Sequence, residues 1–146
     1  MISIQKGTLT DCNFIYNALE VLRDGLDINY SQFENYYTHV LKLTTTEFII
    51  GNDLENNQIG LITLNRFEIP RYMGYGIEME EVVVLEKYRG KGYAKQMIEL
   101  IFEKYKIDTA CRKLLVKTDG EEAMKLYEHY FSKTSLCHFQ KYLNKV

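Results

Sequence analysis

The chain has 146 residues, of which 46% are hydrophobic and 26% are charged, and its net charge is −2 at pH 7. These values are typical of one globular domain with its own core, and the small negative charge argues against nucleic acid as the main partner. No apolar run is long enough to cross a membrane, and the N-terminus lacks the basic-then-apolar layout of a signal peptide. The three cysteines have no Cys-x-x-Cys spacing, so we expect reduced thiols in a cytoplasmic protein.

The first half of the chain predicts a strand, two helices and a β-hairpin. Thr8 and Asp11 have capping-box spacing ahead of the first helix, which carries an apolar face from Phe14 to Leu22. A polar segment between two β-rich runs is typical of a hairpin turn. The predicted ranges are Ile2 to Gln5 (strand), Ser31 to Leu43 (second helix), Glu47 to Gly51 and Gln58 to Phe67 (hairpin strands).

The second half predicts a loop and then alternating strands and helices. From Gly92 onward, apolar residues recur with helical spacing from Ala94 to Tyr105. The remaining ranges are Glu68 to Gly76 (loop), Ile77 to Leu85 (strand), Lys113 to Lys117 (strand), Glu121 to Phe131 (helix) and Cys137 to Leu143 (final strand). The order β-α-α-β-β-β-α-β-α-β predicts an α+β fold with a mixed sheet.

The most informative segment joins the valine-rich strand to the helix that begins near Gly92. It reads Arg89-Gly90-Lys91-Gly92, so it combines two cations with two glycines. The free N–H groups at a helix N-terminus, together with the positive end of the helix dipole, favour phosphate binding. Glycines allow the backbone to approach a bulky anion closely. The sequence therefore predicts a phosphorylated ligand at this turn.

Two familiar phosphate-binding patterns do not fit. The Walker pattern requires Ser or Thr after Gly-Lys, whereas Gly92 follows Lys91 here. The dinucleotide pattern requires a third glycine where this chain has Lys95.

The pattern that remains is Arg89-x-x-Gly92-x-Ala94, directly after a strand and at the start of a helix. It resembles the signature of the GNAT superfamily of acetyl-CoA-dependent N-acetyltransferases. The resemblance covers nearly the whole chain and implies one domain over residues 1–146, with a mostly antiparallel central sheet that splays between its fourth and fifth strands. It implies that the turn amides hold the coenzyme A diphosphate and that a bulge around Val83 to Leu85 offers amides to the coenzyme carbonyls. The implied coenzyme-binding residues are Val82, Val83, Val84, Arg89, Gly90, Lys91, Gly92, Tyr93, Ala94 and Lys95.

A second resemblance to the family lies in the last helix. The usual Asn-x-x-Ala-x-x-x-Tyr pattern is matched at Ala123 and Tyr127, whereas Gly120 stands at the Asn position. The match implies that Tyr127 protonates the departing thiolate. The side-chain contact that the Asn makes with the coenzyme is missing at Gly120.

An amine substrate must lose a proton before it attacks a thioester, and a cleft carboxylate can accept that proton directly or through a water. Glu78 and Glu80 share a strand face by alternation, and Glu81 faces the other way unless a bulge intervenes. The stretch Met79-Glu80-Glu81-Val82 resembles the family version in which the glutamate at Glu80 contacts the amine or acts as base. Glu78 and a water chain remain alternatives.

Carboxylates and tyrosines suit a cationic acceptor through charge and cation–π contacts. The family resemblance implies an acceptor site that includes Tyr30, Tyr72 and Glu78. The Glu-Glu-Val-Val-Val stretch and the Phe139-x-x-Tyr142-Leu143 ending look similar to glucosamine-6-phosphate and aminoalkylphosphonate N-acetyltransferases. A second anion on such an acceptor would need cations, for which Arg66 and Arg71 are candidates.

The resulting hypothesis is acetyl transfer from acetyl-CoA to a primary amine of a small molecule or peptide, by direct attack in a ternary complex. The alternative is an acyl-CoA-binding module that acts as a sensor or scaffold without turnover. The scattered histidines lack ligand spacing, so we expect no metal. The chain after Phe131 is short for two further strands, and a homodimer is expected because a partner would complete the sheet.

Overall fold

A computed structural model describes residues 1–118, 120–136 and 139–143 of the protein. Within this part of the chain, five strands alternate with four α-helices and three single-turn 3-10 helices. The strands are β1 (Ser3–Lys6), β2 (Thr46–Asn52), β3 (Gln58–Ile69), β4 (Gly74–Val84) and β5 (Cys111–Val116). The helices are α1 (Cys12–Glu20), α2 (Tyr30–Val40), α3 (Tyr93–Lys106) and α4 (Glu121–Glu128), and the 3-10 turns are Leu9–Asp11, Pro70–Tyr72 and Glu86–Tyr88.

The strands form one sheet in the order β1-β2-β3-β4-β5. Neighbouring strands are antiparallel except β4 and β5, which run parallel. β4 pairs with β3 as far as Val84, but its pairing with β5 ends at Met79 opposite Val116. The predicted α+β fold with a mostly antiparallel sheet and about four helices is therefore confirmed. We call the place where β4 continues without β5 the fork.

The two faces of the sheet are covered by different helices. α1 and α2 cover one face, with Ile15 and Tyr37 packed against Phe48 of β2. α3 and α4 cover the other face, where Met97 and Ile98 meet the strands. Full burial of such side chains stabilises a fold by about 1.5–3 kcal/mol each. We refer to the two sides as the α1/α2 face and the α3/α4 face.

The prediction of a loop over Glu68 to Gly76 is wrong at both ends, because β3 runs to Ile69 and β4 begins at Gly74. The ring of Phe67 lies over Gly76, where an added Cβ would come within 2.3 Å of the Phe67 ring. Glycine thus serves close strand packing here and does not mark a loop. Tyr75 is held in the strand by its hydroxyl, which donates to Asp108 at 2.5 Å.

The predicted final strand is also wrong where it can be checked. Residues 139–143 form no strand, and Phe139 is 90% exposed. Cys137 and His138, which begin that predicted strand, lie outside the described residues. Alternating apolar residues favour a strand only where a neighbouring strand supplies hydrogen-bond partners. The sheet of the described ranges consists of β1 to β5 and does not include residues 139–143.

Candidate active site

The turn between β4 and α3 is shaped by two glycines. After β4 ends at Val84, a 3-10 turn over Glu86–Tyr88 leads to Gly90 and Gly92, which both have φ of +74°. This left-handed conformation is costly for residues with a Cβ. An added Cβ at either glycine would meet no atom within 4 Å. The glycines therefore satisfy a backbone requirement and leave open space beside the turn.

The N-terminus of α3 presents unused hydrogen-bond donors to this space. The first bond of the helix runs from the Gln96 N–H to the Gly92 carbonyl at 3.2 Å, so the amides of residues 93–95 have no acceptor within the helix. Gly92, the N-cap, has no side chain that could cap them. Together with the positive end of the helix dipole, these amides form a seat that favours an anion, and no protein atom lies within 4 Å of an added Cβ at Gly90 or Gly92.

Exposed cations surround the seat. The Arg89 Nε donates to the Val84 carbonyl at 3.0 Å, which fixes the guanidinium at the end of β4. Lys91 is exposed. The pKa of Asp53 in the β2–β3 hairpin is lowered mainly by the hydrogen bond from Asn57 and to a smaller extent by the positive charge of Lys91. Lys95 lies 4.0 Å from Glu99 on the first turns of α3. Positive charge at a helix N-terminus opposes the dipole, so this arrangement favours a bound anion over an empty turn.

β4 carries a bulge at Glu80. Thr63 of β3 pairs with Glu81, and the next β3 residue pairs with Met79, which leaves Glu80 without a partner. The bulge implied around Val83 to Leu85 is therefore misplaced, because Val82 to Val84 pair regularly with Ile62 to Gly60. Gly60 explains the regular pairing there: an added Cβ would lie 2.5 Å from the Val83 carbonyl oxygen, so the two strands approach closely.

The bulge changes which glutamates share a face of the sheet. Ile77, Met79 and Val82 pack on the α3/α4 face, so alternation places Glu78 and Glu81 together on the α1/α2 face. The sequence predicts that Glu78 and Glu80 share one face and that Glu81 lies on the other, which applies only to a strand without a bulge. In the structure Glu78 and Glu81 share the α1/α2 face, and Glu80 is exposed at the bulge.

Glu81 is held by Thr63. The Thr63 hydroxyl donates to the Glu81 carboxylate, and the Glu81 N–H donates back to the Thr63 oxygen at 3.1 Å. Burial raises the pKa of Glu81 above its ordinary value, the bond from Thr63 offsets part of that rise, and the neighbouring charge of Glu80 adds to it. A buried carboxyl with a raised pKa in a cleft is a frequent feature of functional sites.

Lys117 completes the charged group at the fork. It follows β5 directly, and its Nζ lies 2.5 Å from Oε1 of Glu78. The hydrogen bond with Glu78, with a smaller contribution from the charge of Glu80, raises the pKa of Lys117. Among the described residues, three carboxylates and one ammonium therefore lie near the place where β4 and β5 part.

Tyr127 lies on the other side of the sheet. It is half-buried in α4 and packs edge-on against Phe131 with ring centroids 5.9 Å apart. Burial raises the pKa of its hydroxyl, so the phenol keeps its proton at neutral pH. Gly120, the N-cap of the same helix, has an extended backbone conformation with φ of −82°. Its N–H donates to the Thr118 hydroxyl at 3.2 Å.

The predicted acceptor residues are not all brought together. Tyr30 packs on the α1/α2 face against Tyr16, and a hydrogen bond with Cys12 raises the pKa of Tyr30. Tyr72 lies in the turn before β4, where its carbonyl accepts from Arg112 at 3.1 Å. The seven residues of β4 from Gly74 to Glu80 span about 20 Å, so Tyr72 lies far from the fork along the strand.

The two arginines proposed for a second anion are engaged near the same end of the sheet. Arg66 pairs with Glu68 at 2.9 Å and stacks on the Tyr75 ring at 3.8 Å. Arg71 lies 4.7 Å from the ring centroid of its neighbour Tyr72. Neither contact belongs to the charged group at the fork.

Sequence reasoning missed Thr63, and it gave Glu81 and Lys117 no role. Alternation along β3 puts Thr63 on the α1/α2 face, but its partner depends on the bulge, and a single sequence carries no signal for a bulge at Glu80. The ion pair of Lys117 requires the parallel register of β4 and β5, which is likewise a property of the folded sheet.

Comparison with known proteins agrees with this architecture. The model of the acetyltransferase (GNAT) family matches residues 15–131, which is more than half of the chain. The chain therefore belongs to the GNAT family, and it is an acyltransferase enzyme by that membership. No curated protein sequence matches it significantly.

Solved structures of acetyltransferases share the fold at low sequence identity. A ribosomal-protein-alanine N-acetyltransferase from Brucella melitensis biovar Abortus 2308 has a TM-score of 0.81 at 19% identity, with 99% of this chain and 100% of that chain covered. Glucosamine-6-phosphate N-acetyltransferase from Arabidopsis thaliana has a TM-score of 0.78 at 17% identity, covering 99% of each chain. An aminoglycoside acetyltransferase from an uncultured soil metagenomic sample, in complex with sisomicin, has a TM-score of 0.80 at 14% identity, covering 98% and 97%.

Two further observations concern other kinds of site. Within residues 1–118, 120–136 and 139–143, no group of three or more His, Cys, Asp or Glu side chains is arranged to hold a metal ion. No helix in the same part of the chain has the length and apolar character that a membrane span requires.

Proposed function

We propose that this enzyme transfers an acetyl group from acetyl-CoA to a primary amine by direct attack in a ternary complex. The observation that carries the proposal is the anion seat at the N-terminus of α3, directly beside the fork. The amides of residues 93–95 would bind the coenzyme diphosphate, and Arg89 and Lys91 would balance its charge. The thioester arm would then lie along β4 beyond Met79, where Val82, Val83 and Val84 have no β5 partner among the described residues.

The residues at the fork match the proton movements of this reaction. Glu80 would take the proton of the attacking ammonium, directly or through one water. Glu78 and Glu81 would add negative potential that draws a cation to the cleft. As the carbon–sulfur bond breaks, Tyr127 would give its proton to the sulfur, a role that its raised pKa permits because the phenol is protonated at neutral pH.

The acceptor class follows from the charge of the fork. Three carboxylates and one ammonium among the described residues favour a cationic amine, and Tyr30, half-buried on the α1/α2 face, is a candidate for aromatic contact. Two of the structures that share the fold are named as acting on glucosamine-6-phosphate or aminoglycosides. We therefore place small amino compounds first and peptide amines second.

The second candidate function is a coenzyme-binding module without turnover. Gly120 favours it, because the side chain that would contact the coenzyme from the start of α4 is missing. Such a protein would bind acetyl-CoA tightly at the same seat and release no thiol with any amine.

One experiment separates the two functions. The protein is mixed with acetyl-CoA and a panel of polyamines, amino sugars, aminoglycosides and peptide N-termini, and free thiol is followed with time. We expect continuous thiol release over many turnovers with at least one amine and no continuous release without it. Glu80→Gln should lower kcat/KM most at low pH, where the free amine is scarcest, while Glu103→Gln, at an exposed pair with Lys106, should leave it unchanged. Tight binding without thiol release across the whole panel would favour the module.

The proposal includes a homodimer in the cytoplasm. β5 is an edge of the sheet within the described ranges, and Tyr142 and Leu143 are 85% and 83% exposed, so a second copy could cover both. Cys12 and Cys111 are free thiols, as is usual in a reducing compartment. Light scattering at micromolar concentration would detect the dimer, and a monomeric mass would remove it.

A further inference from the structure

One side-chain amine of the protein forms an ion pair with a carboxylate at the fork. Lys117 is the residue after Val116, where the pairing of β5 with β4 ends, and its Nζ lies 2.5 Å from Oε1 of Glu78. The Lys117 side chain is 57% exposed, whereas that of Glu78 is only 18% exposed. The carboxylate is thus held in the cleft wall, and the ammonium reaches it from the open side.

Other lysines also form ion pairs, but not at the fork. Lys104 lies 2.6 Å from Glu47, and Lys95 and Lys106 pair with glutamates of α3. Lys113 of β5 lies over the Phe67 ring at 5.6 Å, and Lys125 of α4 is exposed. Ion pairing alone does not distinguish Lys117, whereas its position at the parting of the two strands does.

We infer that Lys117 neutralises Glu78, one of the carboxylates that would draw a cationic acceptor to the fork, and that Lys117 is itself acetylated when acetyl-CoA is bound and no acceptor is present. This inference rests on the proposed function, because it requires the thioester to lie in the fork. It adds a modification site to the chain and a competitor that every cationic acceptor must displace from Glu78.

The chemistry of the step balances without a further reagent. Glu78 takes one proton from the Lys117 ammonium, whose pKa it holds above the ordinary value. The nitrogen lone pair forms a bond to the thioester carbonyl carbon, the carbon–sulfur bond breaks, and the second nitrogen proton passes to the departing sulfur. The proton on Glu78 is then lost to solvent. The product is a neutral amide, which no longer pairs with Glu78 and leaves that carboxylate to the acceptor.

The test uses the full chain with acetyl-CoA and no amine. Free thiol is measured while intact mass and peptide mapping locate the added acetyl groups. We expect a single burst of about one equivalent of thiol and one acetyl group on Lys117, formed at least about tenfold faster than on Lys113 or Lys125. Lys117→Arg keeps the positive charge and should abolish the burst. Glu78→Gln should slow it about 100-fold, as expected for loss of a general base, whereas Glu103→Gln should not.

A second readout uses the acceptor found with the amine panel. Once Lys117 is acetylated, Glu78 has lost its internal partner, so KM for a cationic acceptor should fall while kcat changes little. Lys117→Gln, which mimics the neutral product, should show the same lower KM. An unchanged KM in both preparations would overturn the competitor role.

Acetylation spread evenly over exposed lysines would overturn the inference, and so would an undiminished burst in Lys117→Arg. Amine-dependent thiol release with Lys117 left unmodified would overturn this inference while the proposed function stands. No thiol release with any amine, together with an unmodified Lys117, would overturn both.

Discussion

Replacement of Gly92 by alanine separates the conformational role of this residue from its role in binding. Gly92 has φ of +74°, and an added Cβ would meet no atom within 4 Å. The cost to folding is therefore only that of holding a residue with a Cβ in the left-handed region, about 1–2 kcal/mol. For a domain of this size we expect a fall in Tm of about 2–8 °C.

The same Cβ should weaken acetyl-CoA binding by a separate mechanism. It would occupy the open space in front of the α3 amides, where the diphosphate is proposed to sit. Loss of one hydrogen bond to a charged group costs about 1.5–3 kcal/mol, which corresponds to a rise in Kd of about 10-fold to 150-fold. Isothermal titration calorimetry with acetyl-CoA, well below the Tm of both proteins, measures this change directly.

Gly25 provides a matched control. It has φ of +80° in the α1–α2 connection, and an added Cβ there also meets no atom within 4 Å. Gly25→Ala should lower Tm by a similar amount and leave the Kd for acetyl-CoA unchanged. If Gly92→Ala raised the Kd no more than Gly25→Ala, the turn would not be the phosphate seat. If neither variant lost stability, the left-handed conformation would not require glycine at these two positions.

Three further predictions concern the fork and α4. Burial raises the pKa of Glu81 in the folded protein, so the folded state favours the protonated carboxyl. The stability of the wild type should therefore fall relative to that of Glu81→Gln as the pH rises from about 4 to about 8. Thermal melts of both proteins across that range test this, and a constant difference in Tm would contradict it. Gly120→Asn should fit without strain, since the nearest atom to an added Cβ is 3.7 Å away. Its stability should stay within a few tenths of a kcal/mol of the wild type, and calorimetry should show tighter acetyl-CoA binding. Unchanged affinity would mean that the missing Asn does not matter. Tyr127→Phe keeps the ring contact with Phe131 and should preserve Tm while it slows thiol release about 100-fold. A wild-type rate of thiol release would remove the acid role.

Local patterns predicted the elements with strong periodicity. The apolar spacing from Ala94 to Tyr105 matches α3, and the polar segment between Gly51 and Gln58 is the β2–β3 hairpin turn. The phosphate seat could also be anticipated, because a helix start and its free amides depend on nearby residues only. Gly90 and Gly92, which the sequence assigned to this turn, both have positive φ.

Features that depend on pairing between distant segments were not predictable. The position of the bulge at Glu80 is set by the register against Thr63, and that register decides which glutamates share a face. The Gly74 to Gly76 stretch suggested a loop, but Phe67 uses the missing side chain of Gly76 to pack over the strand. The ion pair of Glu78 and Lys117 depends on the parallel register of two strands that α3 separates in the chain, which local residue spacing does not encode.

A crystal structure of the protein with acetyl-CoA would show whether the N-terminus of α3 binds the coenzyme. We expect diphosphate oxygens about 3 Å from the amide nitrogens of residues 93–95, with the thioester arm between β4 and β5 beyond Met79. A diphosphate bound elsewhere, or an arm that does not enter the fork, would contradict this expectation.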